Sequence, residues 1–346
     1  MRHTNRASRW RSAAVLAAGL ALVLSAAGCG SEPAAGGPHA VTFAGSPANT
    51  PVDALEPLAI AHGVYSRHGI DMNFTHVRSL SEAAAAVVGG SAQFGLLGTA
   101  AVAPLIQQGE CFKFLTANQK IYYRLVARPG YPLPNAGAPY PASARDLKGA
   151  KIGVVGLGGI QEIVIKRMLA AAGLTPQDVT VVAVGGPATA VPAFQAGQVD
   201  MYMATPPAEQ LLGSNGFEVV ADFLADPALP SYGFVQTFTG ASCDFVEENP
   251  QVVADFCAAT AAAHQFIRDP ANGPAVVAEL ASSGGTDQAT AEQIWKQYGA
   301  VWTDGAITPE IWESQRLVLP PGVELPDMAE VVDPACQQTI KSGVSS

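Results

Sequence analysis

Short β-branched and aromatic runs closed by glycine alternate along this chain with alanine-rich stretches whose apolar positions recur at helical spacing. VTFAG (41–45), MNFTHV (72–77) and QFGLLG (93–98) read as strands, because such side chains suit a pleated, half-buried surface. Between them, 52–65 reads as a helix despite Pro57, and 81–88 as a second helix stopped by Gly89-Gly90. The same order then recurs. KIGVVG (151–156), VTVVAV (179–184) and VDMYMA (199–204) are strands, separated by helices over 161–172 and 188–196 that end at Gly173 and Gly197. Alternation of this kind predicts βα units and a mostly parallel sheet in each set.

Two junctions of the two sets align at one offset of 107 residues: VRSLSEA (77–83) with VGGPATA (184–190), and GGSAQFGLLG (89–98) with AGQVDMYMAT (196–205). Few residues are identical, and the shared order of elements carries the match. We read two α/β lobes of similar construction, since a solenoid needs shorter and more numerous repeats. Residues 114–128 then carry the chain outward between lobes, and 234–242 bring it back. From Pro250 the pattern becomes helical over 250–267, 275–282, 289–298 and 309–317, with Thr308-Pro309 as cap and first helical residue of the last. This end is expected to pack on the first lobe.

The first 28 residues have a different character. Arg2, Arg6, Arg9 and Arg11 precede an apolar run (13–24), and no acid occurs before Glu32. A basic start, a short apolar centre and small residues at the end form a secretory signal. The run is short of the ~20 residues that span a bilayer. Ala26-Ala27-Gly28-Cys29 resembles the bacterial lipobox, with Ala26 where that pattern prefers Leu; an ordinary cleaved signal is the alternative. The lipobox reading makes Cys29 the lipidated N-terminus, anchors the protein outside the cytoplasm on the cell membrane, and leaves 30–39 as a flexible tether. Loss of the four arginines leaves 15 basic against 29 acidic residues, a net charge of −14. No basic block remains, which argues against nucleic acid as a partner. Cys111, Cys243, Cys257 and Cys336 are then left, all expected in the first lobe and its helical extension. They allow two bridges in three connectivities, or simple burial as for Cys257 in its helical pattern. Wide spacing and the lack of CxxC argue against zinc, and no metal or cofactor is expected.

Ligands of open parallel sheets bind outside the carboxyl ends of the strands. Those ends here are 45–51, 78–81, 98–100, 156–160, 185–189 and 205–207, rich in Gly, Ser, Thr and Pro. The candidate contacts are Ser46, Asn49, Thr50, Arg78, Ser79, Gly98, Thr99, Gly156, Gly158, Gly159, Gly186 and Thr205. Single loops of this composition are commonly turns and nothing more; their convergence is the argument. Gly156-Leu157-Gly158-Gly159 fits only the first two glycines of a dinucleotide fingerprint, with Gln161 in the third place and no acid after Val184. A backbone nest for a small anion or carbonyl is the better reading. Arg78 is the expected cationic contact, with Glu82 turned away along its helix. Tyr122, Tyr123, Tyr202, Tyr232 and Phe234 lie near the cleft or crossings, where they either stack on a ring or pack the lobes.

Four segments resemble the solute-binding proteins of nitrate, sulfonate, taurine and thiamine-precursor ABC importers: PLAIAHGVYSRHGIDMNF (57–74), AAAAVVGGSAQFGLLGTAAVAPLIQQG (83–109), DLKGAKIGVVGLGG (146–159) and AFQAGQVDMYMATPP (193–207). The resemblance covers roughly residues 40–270. It implies an α/β, two-lobed type II periplasmic-binding-protein fold with two crossing segments. The divisions are then a signal (1–28), a tether (29–39), lobe I (40–125 and 236–346) and lobe II (126–235), with hinges near 122–126 and 232–236. It further implies a monomer that captures a small solute (sulfonate, nitrate, small carboxylate or pyrimidine-like) and passes it to an ABC permease and ATPase complex. Two alternatives stay open: an enzyme on the same fold, of thiamine-pyrimidine or menaquinone type, and a ligand sensor for a membrane receptor. His62, His68 and His76 are scattered and no cysteine falls in a cleft loop, so no catalytic constellation is visible.

Overall fold

The computed structural model describes residues 37–45, 53–229 and 231–344. The leader, Cys29 and the loop carrying Ser46, Asn49 and Thr50 lie outside the described residues. In chain order the first set of elements is β1 (His39–Gly45), α1 (Leu55–Ala61), α2 (Val64–Arg67), β2 (Ile70–His76), α3 (Leu80–Val88), β3 (Phe94–Leu97), α4 (Thr99–Gln107) and β4 (Phe112–Lys120). The second is β5 (Arg124–Ala127), β6 (Lys151–Val154), α5 (Ile160–Ala171), β7 (Thr180–Ala183), α6 (Pro187–Gln195), β8 (Met201–Ala204), α7 (Ala208–Leu212) and β9 (Glu218–Asp222). The chain then returns through β10 (Val235–Ser242) to α8 (Cys243–Glu248), α9 (Pro250–Arg268), α10 (Gly273–Gly284), α11 (Gln288–Tyr298), α12 (Pro309–Ser314), α13 (Met328–Val331) and α14 (Pro334–Val344).

Two mixed five-stranded sheets result, in the orders β2-β1-β3-β10-β4 and β7-β6-β8-β5-β9. In the first sheet β1 runs parallel to β2 and β3, and β10 runs antiparallel to β3 and β4. In the second, β6 runs parallel to β7 and β8, and β5 runs antiparallel to β8 and β9. The two windings are the same. Both junctions aligned at the 107-residue offset fall on equivalent places: β2 into α3 against β7 into α6, and α3 into β3 against α6 into β8. The α/β fold class with a helical C-terminal part is as the sequence leads one to expect.

Local differences have physical causes. The helix expected over 52–65 is two helices, because Gly63 takes φ 66° and closes α1 before α2 begins. Residues 98–100, read as a strand-end loop, are the cap and first turn of α4, which continues through Pro104. β9, the short helices α7, α8 and α13, and the 11-residue α14 have no counterpart in the sequence reading.

The first sheet packs on α9, which buries Val253, Phe256, Cys257, Ala259, Ala263 and Ile267 on one stripe. Phe94 and Phe256 stack face to face at 3.6 Å between ring centroids, with Phe43 alongside. Of the three possible connectivities, the bridges are Cys111–Cys243 and Cys257–Cys336. The first joins the start of β4 to the end of its neighbour β10; the second joins α9 to α14. All four cysteines therefore lie in the first-sheet half and its helical extension. Among the described residues, no helix is long and apolar enough to cross a membrane.

Candidate functional site

The pairing registers fix where a cleft must form. Lys120, the last residue of β4, pairs with Val235 at the start of β10, so the chain leaves and re-enters the first sheet at one edge. That edge is the carboxyl edge of β1, β2 and β3, since β4 is parallel to β3. In the second sheet Arg124 pairs with Ala204 at the carboxyl end of β8 and with Asp222 at the end of β9. Both crossings, 121–123 and 223–234, thus tie the two sheets together by their carboxyl edges. The strand-end loops of both sheets surround these crossings.

The described strand-end residues are mostly engaged with their own chain. Ser79 caps α3 by accepting the Glu82 N–H at 3.2 Å. Glu82 does not turn away along its helix, as the sequence led us to expect. Its carboxylate folds back to accept the Arg78 N–H at 2.9 Å and the Arg78 Nε at 3.1 Å, and these contacts hold it below the usual carboxylate range. The Arg78 side chain is otherwise 92 % exposed. Thr99 is buried and donates its hydroxyl to Gln315 Oε1 at 2.8 Å; Gln315 in turn donates to the Val235 carbonyl at 3.0 Å. A Cβ at Gly98 would stand 2.8 Å from Leu80 Cδ1, so a larger residue there requires the Leu80 side chain to shift.

In the second sheet Gly156, Gly158 and Gly159 lead into α5, with Gly159 as its cap and Gly158 at φ 77°. The Gly158 N–H donates to Glu162 at 2.7 Å, and Glu162 pairs with Lys166 at 2.5 Å. First that backbone N–H and then Lys166 hold the Glu162 carboxyl below its usual range. One N–H of the expected nest is therefore taken by the chain's own carboxylate. Gln161, which replaces the third fingerprint glycine, is buried and accepts the Val155 N–H at 2.8 Å while donating to Met203 O at 3.3 Å. Gly186 caps α6 ahead of Pro187, and Thr205 accepts the Ala208 N–H on its carbonyl at 2.8 Å.

Sequence reasoning missed a polar floor formed by β4 and β10 against the start of α1. The β4–β10 ladder shifts register between Val235 and Thr237, and again between Thr237 and Phe238. Such bulges re-aim side chains at sheet edges. Here Asn118 and Gln119, consecutive in β4, both reach toward α1. Asn118 donates to Glu56 Oε1 at 3.0 Å and to Thr239 Oγ1 at 2.9 Å, and Gln119 donates to Asp53 Oδ1. Burial pushes the Glu56 carboxyl up to about 7, so it is largely protonated in mildly acidic solution. Gln236, the bulged residue, has its Oε1 buried without a hydrogen-bond partner. Thr237 Oγ1 is likewise buried and unpartnered. The available signal was TANQ (116–119), a polar run inside an otherwise apolar strand.

The five aromatics separate clearly. Tyr122, Tyr123, Tyr202 and Phe234 are buried, with Tyr202 under α6 against Phe194, and only Tyr232 is exposed. Around the crossings Arg124 is shared between Glu209 at 2.8 Å and Asp222 at 2.6 Å. Glu209 also accepts Gln297 Nε2 at 2.6 Å and the Tyr298 hydroxyl, which joins α7 of the second-sheet half to α11. Among the described residues, no group of His, Cys, Asp and Glu is arranged to hold a metal ion.

A family model described as NMT1/THI5-like matches residues 57–272. A sequence comparison with curated proteins finds no match. Among solved structures, the periplasmic aliphatic sulphonate-binding protein SsuA of Escherichia coli is similar at TM-score 0.66 and 18% identity, over 81% of this chain and 85% of that one. The periplasmic nitrate-binding protein NrtA of Synechocystis PCC 6803 is similar at 0.64 and 16%, over 88% of each chain. The desulfurization enzyme DszB is similar at 0.56 and 15%, over 88% of this chain and 99% of that one. At these identities the likeness establishes the fold, which is shared by binding proteins and at least one enzyme.

Proposed function

We propose that this chain, which belongs to the NMT1/THI5-like family, is an extracytoplasmic solute-binding lipoprotein that captures a small solute and delivers it to an ABC permease and ATPase complex. The observation that carries this reading is the joining of two identically wound sheets by their carboxyl edges through two short crossings. Two lobes tied at such an edge can close on a solute by small rotations within a few connecting residues. Segments 121–123 and 223–234 are the hinge candidates. The structural likeness to sulphonate- and nitrate-binding proteins agrees with a transport role. Among the described residues the cysteines Cys111, Cys243, Cys257 and Cys336 are all in bridges, so none offers a free thiol for the enzyme alternative. His264 is buried against Thr303.

In this reading the solute contacts the loops after β1, β2, β3, β6, β7 and β8, together with the polar floor, and Cys29 carries the lipid. Thermal-shift screening of the exported protein against sulfonates, nitrate, small carboxylates and pyrimidine-like solutes tests the binding role, since a ligand of the folded state raises its melting temperature. A hit should also contract the radius of gyration in solution scattering. An unchanged scattering profile with calorimetrically confirmed binding contradicts closure. Cys29→Ser should abolish lipid labelling, and a labelled, membrane-bound variant contradicts the anchor.

A further inference from the structure

The first crossing, 121–123, is the shorter of the two, and one piece of the helical extension holds it from both ends. Residues 301–303, just past α11, run along the edge of β4 that β10 leaves open. The Lys120 N–H donates to the Val301 carbonyl at 2.9 Å, and the Thr303 N–H donates to the Asn118 carbonyl at 3.0 Å. The Thr303 hydroxyl donates to the Ala117 carbonyl as well. The extension is thereby fixed to the last residues of the first sheet before the chain crosses. Gln297 and Tyr298, at the end of α11, reach the other half. Tyr298 donates its hydroxyl to Glu209 of α7. Gln297 donates to the same carboxylate at 2.6 Å and accepts from Gln210 Nε2 at 3.1 Å. Glu209 also accepts from Arg124, the first residue of β5, at 2.8 Å, and the Arg124 guanidinium lies 6.0 Å from the centre of the Tyr298 ring. Within the crossing, the Tyr122 ring meets Tyr298 edge-on at 6.4 Å between centroids.

Lys120 before the crossing and Arg124 after it are therefore tied to the same short run of chain. A rotation of the second-sheet half about 121–123 carries Glu209 along with α7 and leaves Tyr298 behind with β4. Glu209 and Tyr298 are both buried, so each donor lost leaves a carboxylate short of partners away from water. Burial and then the Glu209 charge push the Tyr298 hydroxyl up, which keeps it a donor. We propose that residues 297–303 form a strap across the hinge, and that the grip of Gln297 and Tyr298 on Glu209 sets the angle at which the two halves rest. This rests on the hinged reading of the crossings. Gln297 and Tyr298 belong to none of the strand-end loops, and they act as positioning residues through Glu209. Releasing their grip shifts the population of lobe arrangements, and with it the apparent affinity for whatever the cleft holds.

The test measures the distance between the halves in the exported, ligand-free protein. No solute is used, so a negative result here and a negative solute screen are separate outcomes. Ser91→Cys and Gln177→Cys, exposed positions in the first-sheet and second-sheet halves, carry a pair of spin labels. The described native cysteines are in bridges and stay unlabelled. Tyr298→Phe keeps the ring against Tyr122 and removes the donor. It should raise the fraction of molecules at a second inter-label distance about tenfold, the usual worth of one hydrogen bond to a charged group. Gln297→Leu, at a partly exposed position, should do the same, and it keeps the test decisive if Tyr298→Phe fails to fold. Gln293→Leu, at an exposed position of α11, should leave the parent distribution in place. Parent-like distances in the Tyr298 and Gln297 variants overturn the strap. An equal shift in Gln293→Leu overturns it as well, because the change is then not owed to the grip on Glu209.

Discussion

The two halves of the molecule wind the same way and are reinforced very differently. The first sheet has strands of seven to nine residues in β1, β2, β4 and β10, whereas the second sheet's strands have four or five. The first-sheet half also holds the Phe43–Phe94–Phe256 stack, the 19-residue α9 and both disulfides. One face of the second sheet packs on a smaller cluster around Val191, Phe194 and Tyr202, the other joins the main core through Ile152, Ile165, Met168 and Met201, and the outer strand β7 is only partly covered. Winding thus follows from the alternation of strands and helices plus the two crossings. Stiffness is a separate property, added afterwards by packing and covalent links.

That separation can be broken experimentally, because the described tryptophans (Trp295, Trp302 and Trp312) all lie in the helical extension. Their fluorescence reports the first-sheet half, while circular dichroism reports both. The largest expected effect is Phe256→Ala, about 3–5 kcal/mol for a fully buried aromatic. It should shift the fluorescence transition, whereas Phe194→Ala should shift the dichroism transition with a smaller effect on fluorescence. Coincident transitions in both variants would mean that the halves melt as one unit. Next, Cys257→Ser with Cys336→Ser opens a loop with a sequence separation of 79 and should cost about 2–4 kcal/mol, again read in fluorescence.

The carboxyl and the imidazole pushed furthest from their usual values both lie in the first-sheet half and its helical extension. Glu56 is raised to about 7 from 4.5, first by burial. The folded state therefore binds its proton more tightly, and the stability it contributes is full below pH 4.5 and lost as pH rises through 7. His264 is lowered to about 4 from 6.5, again first by burial, so its contribution is full above pH 6.5 and lost as pH falls through 4. Each contribution is on the order of 3 kcal/mol. Glu56→Gln should raise stability at pH 8 and flatten the alkaline loss; an unchanged urea midpoint across pH 5–8 contradicts it. Thr99→Val should cost about 1 kcal/mol by leaving Gln315 Oε1 without its donor. Arg78→Ala should move the urea midpoint least, by under about 0.5 kcal/mol, because the pair is solvent-exposed and local in sequence. A larger loss would show that Arg78 does more than pair with Glu82.

Much of this architecture is readable from periodicity. Strands β1, β2, β3, β6, β7 and β8 sit where short apolar runs end in glycine, and the 107-residue offset falls on true structural equivalents. What escaped has physical reasons. Thr99 and Ala100 look like a loop because they follow a strand that ends in glycine, yet Gly98 caps α4, which continues through Pro104 in its interior. The disulfide pairing depends on β4 lying beside β10, a neighbour 115 residues later that no local pattern announces. The polar floor depends on two register shifts, and a bulge leaves no mark in hydrophobic alternation. The Glu162–Lys166 pair was legible, four residues apart within one helix, whereas Arg78 and Gly158 precede their helices and meet Glu82 and Glu162 through backbone N–H groups that no side-chain spacing announces.

The route of the chain also dictates a timetable. The second sheet is drawn from one continuous stretch, Arg124 to Asp222, so it is complete as soon as that stretch has emerged. The first sheet is not, because β10 must be inserted between β3 and β4, which were made more than a hundred residues earlier. Until Val235–Ser242 arrives, β3 and β4 stand apart with bare edges, and open strand edges invite pairing with other chains. The half that ends up stiffest is thus the last to be finished, and the Cys111–Cys243 bridge closes where its two instalments meet.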